Sequence, residues 1–330
     1  MPFVLSFHAG YGCRNRGVCC TSDWPIQIEE DRARDVRAAI ANGRLVTRRS
    51  EPPFVTANSG PAILTVVNHA CVFHGGGDDG CRIQRALGHA ALPLACRQFP
   101  RVSLRDPRGH SVTLSHYCPT AAGMLGRGDK VSIEERPRGF PADGEYVGLD
   151  AHEGLPPRLR PDMLMDWESW WQWERLSVRA LAEARDSRAG MDRLHNAVEH
   201  TRSWRHSEGT LASRVEEAFR LGPSTRAAAS EPRKRLQEVR SSMPDDVRPD
   251  APGPDGEPTS IAVRRDFLIA HAFANWSAHL GQGLRTWLRS IEAADALIES
   301  GLCVGAADLW LRHLSDPWAL ADVWAQAEKD

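Results

Sequence analysis

The apolar positions change rhythm along the chain. Up to Cys118 they come in short runs that read as strands: Phe3-Val4-Leu5, the alternating Trp24-Pro25-Ile26-Gln27-Ile28, Ile63-Leu64-Thr65-Val66-Val67, and Val112-Thr113-Leu114. Two helical stretches interrupt them. Glu29 to Asn42 places Val36, Ile40 and several alanines on one side and stops at Gly43, and Arg82 to His89 places Ile83 and Leu87 on one face. From Pro161 the helical period takes over. Pro161 to Ala184 carries Trp167, Trp170, Trp171, Trp173, Leu176 and Leu181, opened by Pro161-Asp162 with acids early and arginines later. Further helices are predicted over Gly190–Trp204, Gly209–Leu221, Ile261–Glu299, Gly305–Leu314 and from Pro317 through Trp324.

The stretches between are less regular. Leu125 to Val147 is rich in glycine, proline and charge and is expected to cross the surface. Gly222 to Ser260 is poor in large apolar residues and reads as a flexible linker, with a helical turn or two over Lys234–Ser241. The pattern predicts an α+β chain. A small domain with short strands occupies residues 1–150 and packs on a mostly α-helical domain over 151–330, with the linker near 222–260.

Composition narrows the partners. The chain has 330 residues, 42% of them hydrophobic, a formal net charge of -2 and a pI near 6.7, which argues against a surface built mainly to grip nucleic acid. No apolar run approaches the roughly 18–20 residues that span a bilayer, so no membrane partner is expected. The opening MPFVLSFHAGYGC lacks a positive n-region and reaches Cys13 at once, so it does not read as a signal peptide, and the expected compartment is the reducing cytoplasm.

The cysteines carry the chemistry. Seven of the eight fall between Cys13 and Cys118: Cys13, Cys19, Cys20, Cys71, Cys81, Cys96 and Cys118. Cys303 stands apart and reads as a buried apolar residue. In a reducing compartment gathered thiols point to a soft metal or an iron–sulfur cluster rather than to disulfides. Cys13-x5-Cys19-Cys20 has neither the Cys-x2-Cys knuckles of a zinc ribbon nor the Cys-x3-Cys-x2-Cys of radical S-adenosylmethionine enzymes. Gly17 permits a tight turn that lets the flanking sulfurs converge. The run from His74 to Gly80 reads as a hairpin loop between two ligands, since it lacks the lysine of a phosphate-binding loop. Seven sulfurs exceed the four one centre needs, and His69, His74 and His116 are further candidates by proximity. Four thiolates around Zn²⁺ or a [4Fe–4S]²⁺ core leave a net negative charge, and Arg14, Arg82 and Arg97 stand beside cysteines where they could offset it.

These residues resemble a known family. Cys13-x5-Cys19-Cys20, Cys71 before a glycine-rich loop and Cys81, Leu94-Ala95-Cys96-Arg97-Gln98-Phe99-Pro100-Arg101, and Ser115-His116-Tyr117-Cys118-Pro119 are similar to the YkgJ-type cysteine-cluster family of zinc- or iron-chelating proteins, which includes the flagellin lysine N-methylases. The resemblance covers roughly residues 10–125, and Leu159 to Glu168 is similar to a run in longer members. For the methylase branch it implies a cysteine-bound [4Fe–4S] cluster and methyl transfer from S-adenosylmethionine to a lysine or another amine, on a protein or a small molecule. Arg97, Trp170 and Trp171 are then the candidates for cofactor binding, although tryptophans at helical spacing more often pack a core. The Gly-x-Gly-x-Gly loop of the common methyltransferase fold is missing from the chain. Two other readings stand beside this one: a non-catalytic zinc- or iron-binding protein, and a cluster-dependent tailoring enzyme in a biosynthetic pathway.

Overall fold

The first strand, β1 (Pro2–Leu5), belongs with strands that come after Pro100 rather than with the cysteines that follow it. Val4 and Leu5 are fully buried. In the computed structural model, which describes residues 1–48, 51–56, 60–76, 79–127, 130–141, 144–221, 259–314 and 316–329, β1 runs parallel to β7 (Gly109–Leu114), with Val4 opposite Val112. β1 also pairs antiparallel with β8 (Ile133–Glu135). β7 forms a hairpin with β6 (Arg101–Asp106), and β6 runs parallel to β9 (Gly148–Asp150). The order β8-β1-β7-β6-β9 makes one mixed five-stranded sheet.

That pairing sets the division of the chain. One unit comprises Met1–Tyr11, Arg101–His116 and Ala121–Asp330; the other comprises Gly12–Pro100 and Tyr117–Thr120. The cysteine unit is thus an insertion after β1, and the boundary expected at residue 150 falls on the last residue of β9 instead. The stretch Leu125–Val147 is corrected as well. It supplies β8 and the fully buried Phe140. Its charged Glu134 and Glu135 are what an edge strand carries, so no apolar alternation announces it.

The helices of the larger unit follow the predicted periods, with shifted ends. Arg158–Arg160 (β10) and Met163–Leu164 (β11) form a small hairpin where helix was expected to begin. α5 (Trp167–Ala182) starts after it, capped by Asp166, whose carboxylate accepts the Ser169 N–H at 2.8 Å. α6 (Ser187–Arg202) and α7 (Leu211–Arg220) follow. The long period over 261–299 resolves into α8 (Ile261–Ala272), α9 (Trp276–Leu280) and α10 (Leu284–Glu299). The first break is at Phe273, Ala274 (φ 52°) and Asn275, where the Asn275 side chain caps α9. Phe273 and Ala274 are fully buried and Asn275 nearly so, so the apolar pattern runs through the break without marking it. α11 (Val304–Leu309) and α12 (Pro317–Ala325) complete the unit. Cys303 is corrected from a buried apolar residue to a helix cap: it is half-buried and its sulfur accepts the Ala306 N–H at 3.4 Å.

The predicted linker at 222–260 lies, up to residue 258, outside the described residues, as do Lys234–Ser241. No helix among the described residues is long and apolar enough to cross a membrane.

The cysteine unit has its own core, in which Ile28, Val36, Leu64, Phe73, Ile83 and Leu92 are buried. α1 (Glu30–Ala41) turns Ala33, Val36 and Ala39 inward. The run Ile63–Val67 divides between two hairpins. β3 (Ala62–Leu64) pairs with β2 (Phe54–Thr56), and β4 (Val66–Val67) pairs with β5 (Ala70–Cys71). The alternating Trp24–Ile28 run lies along β3 through a bridge from Gln27 to Ile63. Two short helices follow, α2 (Arg82–Leu87) and α3 (Leu94–Gln98), and α4 (Pro119–Ala122) starts in this unit and ends at the first residues of the other.

Candidate metal centre

The cysteines are carried by separate local devices, with Cys19 and Cys20 sharing one. Gly17 takes a left-handed φ of 74° and opens a single 3₁₀ turn, Val18–Thr21, on which Cys19 and Cys20 ride. A Cβ at Gly17 would stand 2.9 Å from Gly80 Cα and 3.0 Å from the His74 ring, so glycine is required by both conformation and room. Asn15, itself at φ 51°, accepts the Cys81 N–H through Oδ1 at 2.9 Å. This clips the Cys13–Cys19 loop onto the start of α2. Asn68 and His69 (φ 51° and 60°) turn β4 into β5, which delivers Cys71. The loop to Cys81 is closed by the His74–Cys81 bridge and by Gly75 N–H to Gly80 O at 2.7 Å. Its residues 77 and 78 lie outside the described residues. Cys96 sits on α3, whose first N–H, from Leu94, is accepted by the Glu29 carboxylate at 2.8 Å.

These devices bring Cys19, Cys20, Cys71, Cys81 and Cys96 onto the wall of one cavity of about 30 Å³, finished by apolar side chains such as Leu64, Phe73 and Ile83. All eight cysteines are free thiols. The Cys20 thiol is hydrogen-bonded to both Cys19 and Cys81 and burial adds to this, so its own ionisation is pushed far up. The Cys20 bond lowers Cys19 against the opposing effect of burial. The same thiol, with the backbone N–H groups of Gln84 and Ile83, brings Cys81 down to about 7 against burial. Burial pushes Cys71 up to about 12 and Cys96 up as well, with neighbouring sulfurs adding to both. The cavity therefore offers thiolate-forming and thiol-holding cysteines side by side.

Two of the seven predicted ligands are elsewhere. Cys13 is exposed, its sulfur accepting the Asn15 N–H at 3.4 Å. Cys118 is buried but does not line the cavity. His69 is bonded to Asp23, and His116 to His8 at 3.1 Å; neither lines the cavity, nor does His74. Arg97 donates to the Leu92 carbonyl at 2.5 Å. Trp170 is fully buried against His279, and the Trp171 indole N–H donates to Asp106 at 3.0 Å. None of these three lines the cysteine cavity. Among the described residues no group of three or more His, Cys, Asp or Glu side chains is arranged to hold a metal ion as it stands. The thiols instead satisfy one another, with Cys20 hydrogen-bonded to both Cys19 and Cys81.

Asn15 is the residue that sequence reasoning passed over. Its signal was local: an asparagine two before Gly17 inside Cys13-x5-Cys19 is suited to a left-handed turn and to side-chain acceptance of a backbone N–H. Comparison with protein-family models, with curated proteins and with solved structures finds no match.

Proposed function

We propose that the cysteine unit holds a thiolate-bound inorganic centre on Cys19, Cys20, Cys71, Cys81 and Cys96, as an iron–sulfur protein of the YkgJ type. The observation that carries this is the presence of five cysteines on the wall of one small cavity. A donor set of thiols alone suits soft or borderline metals and iron–sulfur clusters. The free state of all eight cysteines suits a reducing compartment, and with it the cytoplasm. The resemblance of the cysteine motifs favours a [4Fe–4S] cluster and, with it, methyl transfer from S-adenosylmethionine to a lysine or another amine. What the chain's own residues would contribute is the thiolates, a buried apolar surround that excludes water, and the α2 N–H groups that donate to the Cys81 sulfur.

Zinc is the second reading, and the cavity itself favours it. About 30 Å³ is room for a water-sized body, hence for a single ion, while a cubane cluster would need the walls to move apart. Zinc would make the unit a metal-stapled module whose folding depends on the ion.

Anaerobic purification decides between them. A broad absorbance near about 400 nm with about four irons and four sulfides per chain supports the cluster, and binding of S-adenosylmethionine to that form supports the reaction. A colourless chain with about one zinc supports the second reading. A chain that retains neither metal after growth and reconstitution with both would overturn the proposal.

A further inference from the structure

The larger unit contains a cavity of its own, of about 200 Å³, with no role in the reading above. One side of it is apolar, with Leu311, Leu320 and Trp324. Another part of the wall carries His271 and Arg312. Both are tied to Asp308, which is fully buried and does not line the cavity.

Asp308 fixes which proton His271 carries. Its carboxylate accepts from the Arg312 Nε at 3.0 Å and from the His116 backbone N–H at 2.9 Å. Burial disfavours its charge, but Arg312 and the two histidines outweigh that and hold it well below the usual carboxylate range. An ionised carboxylate has no hydrogen to give, so the 3.1 Å contact between Asp308 Oδ1 and His271 Nε2 puts the hydrogen on Nε2. Burial, then the Arg312 charge, pushes His271 down to about 4, so at neutral pH the ring is uncharged and its other nitrogen, Nδ1, keeps a lone pair. No donor among the described residues meets Nδ1, and it is not one of the sealed side-chain atoms left without a partner, so it opens to the cavity that His271 lines. The residue around it is only 8% exposed. Asn275 donates to the His271 carbonyl at 2.7 Å and to Ser290 at 2.8 Å, and Phe267 lies edge-on to the imidazole at 4.6 Å, so the ring is oriented before any ligand arrives.

The cations of the wall are committed to the fold. Arg312 gives its Nε to Asp308 and its Nη2 to the Ala270 carbonyl at 3.0 Å. Arg101 stacks 5.7 Å from the Tyr11 ring and 5.3 Å from the Phe140 ring and donates to the Gly139 carbonyl at 3.5 Å. What the wall holds out is an acceptor rather than a free charge.

We propose that this cavity binds an uncharged small molecule of single-ring size that carries one hydroxyl or N–H donor, the donor bonded to His271 Nδ1 and the ring lying against Leu311, Leu320 and Trp324. Asp308 is the positioning residue. The volume sets the size, since it falls below the roughly 300 Å³ at which drug-sized pockets begin. The acceptor sets the selectivity, because a ring without a donor would cover Nδ1 and leave it unpaired. The inference does not depend on the metal.

Phenol carries the donor, and anisole is the same ring with that donor methylated. Each is titrated into the full chain, with binding read by calorimetry. Phenol is expected to bind saturably and about ten-fold more tightly than anisole. Nitrogen-15 spectra of the histidine-labelled parent give a second readout that needs no variant. His271 is expected as the Nε2–H tautomer, with its Nδ1 signal moving on addition of phenol and staying in place on addition of anisole. His271→Phe keeps a ring and removes the acceptor, so it is expected to lower phenol affinity by about ten-fold and to leave anisole affinity unchanged. Absence of saturable phenol binding, equal binding of the two probes, a His271 ring protonated on Nδ1, or phenol binding that leaves the Nδ1 signal in place would each overturn the inference, as would unchanged phenol affinity in a folded His271→Phe chain.

Discussion

The Asn15 side chain accepts the backbone N–H of Cys81 at 2.9 Å, and through that one bond two cysteine-bearing segments far apart in sequence are held together. The approach is close: a Cβ on Gly80 would fall 1.9 Å from the Asn15 carbonyl oxygen. Asn15→Ala removes the acceptor and puts at φ 51° a residue that adopts the left-handed region less readily than asparagine, so the cysteine unit is expected to lose about 1–3 kcal/mol. Asn15→Gly keeps the backbone conformation and loses only the bond; Asn15→Asp keeps both and is expected to fall nearest the parent. Urea denaturation of the reduced chain measures the series. An Asn15→Ala chain as stable as the parent would show that the clip does not hold the loop.

The thiols of the cavity predict a stability maximum in pH. Cys81 titrates at about 7 when folded against an ordinary value of 9.0, so between those values the unfolded chain holds a proton the folded one has lost. Stability then rises with pH from about 7 to about 9. Cys71, pushed up to about 12, keeps its proton after the unfolded chain has lost one, so stability falls as pH rises beyond the ordinary value. Cys19 reinforces the first limb and Cys96 the second. Urea midpoints of the metal-free, reduced chain, taken from about pH 7 to about pH 11, are expected to pass through a maximum near the ordinary thiol value. Cys81→Ser is expected to flatten the rising limb, and a parent midpoint that falls steadily over the whole range would contradict the assignment.

The tryptophans of α5 are expected to act as structure. Trp173 is fully buried, edge-on to Trp287 at 5.4 Å and beside Phe219 at 5.1 Å. Trp173→Ala should therefore cost about 3–5 kcal/mol. Trp171→Phe keeps a ring beside the Arg108 guanidinium but removes the N–H that Asp106 accepts, and should cost about 1 kcal/mol. Thermal and urea unfolding check both. A Trp171→Phe chain of unchanged stability that had lost binding of S-adenosylmethionine instead would return Trp171 to the candidate cofactor residues.

Periodicity reveals what is buried, and backbone pairing decides what that burial is against. Val36, Trp170 and Trp173 are legible because each repeats on one face of a helix. The place of β1 was not, because Phe3-Val4-Leu5 carries no mark that its partners are Val112 and Glu134. The break at Ala274 was hidden by its apolar surroundings, and β8 by its acids. At the cavity, composition pointed to sulfur, and five of the seven clustered cysteines do meet. What separates Cys13 and Cys118 from those five is loop geometry. Asn15, Gly17 and Gly80 determine it through a left-handed backbone and a hydrogen bond, which spacing in the sequence does not encode.

The same separation makes the cysteines individually testable. Cys20 bridges Cys19 and Cys81, and Cys71 and Cys96 complete the wall, so a serine at any of these removes a donor from the place where the metal is proposed to sit. Each of the five single variants is expected to lower metal content, and Cys20→Ala, which has no hydroxyl or thiol to donate, also frees Cys81 from its hydrogen-bond donor and raises its apparent titration above about 7. Cys13→Ser, on the exposed loop, is expected to retain metal. Cys303→Ser should change neither metal content nor stability by more than about 0.5 kcal/mol, because a serine hydroxyl accepts the Ala306 N–H at a helix N-terminus as well as the thiol does. Cys118→Ser is the sharpest member of the set. Its thiol is buried, so the variant loses some stability, yet its position off the cavity wall predicts a metal-to-protein ratio equal to that of the parent. Metal analysis of the eight variants beside their unfolding midpoints separates the two effects, and loss of metal on Cys118→Ser without loss on Cys71→Ser would place the centre elsewhere in the unit.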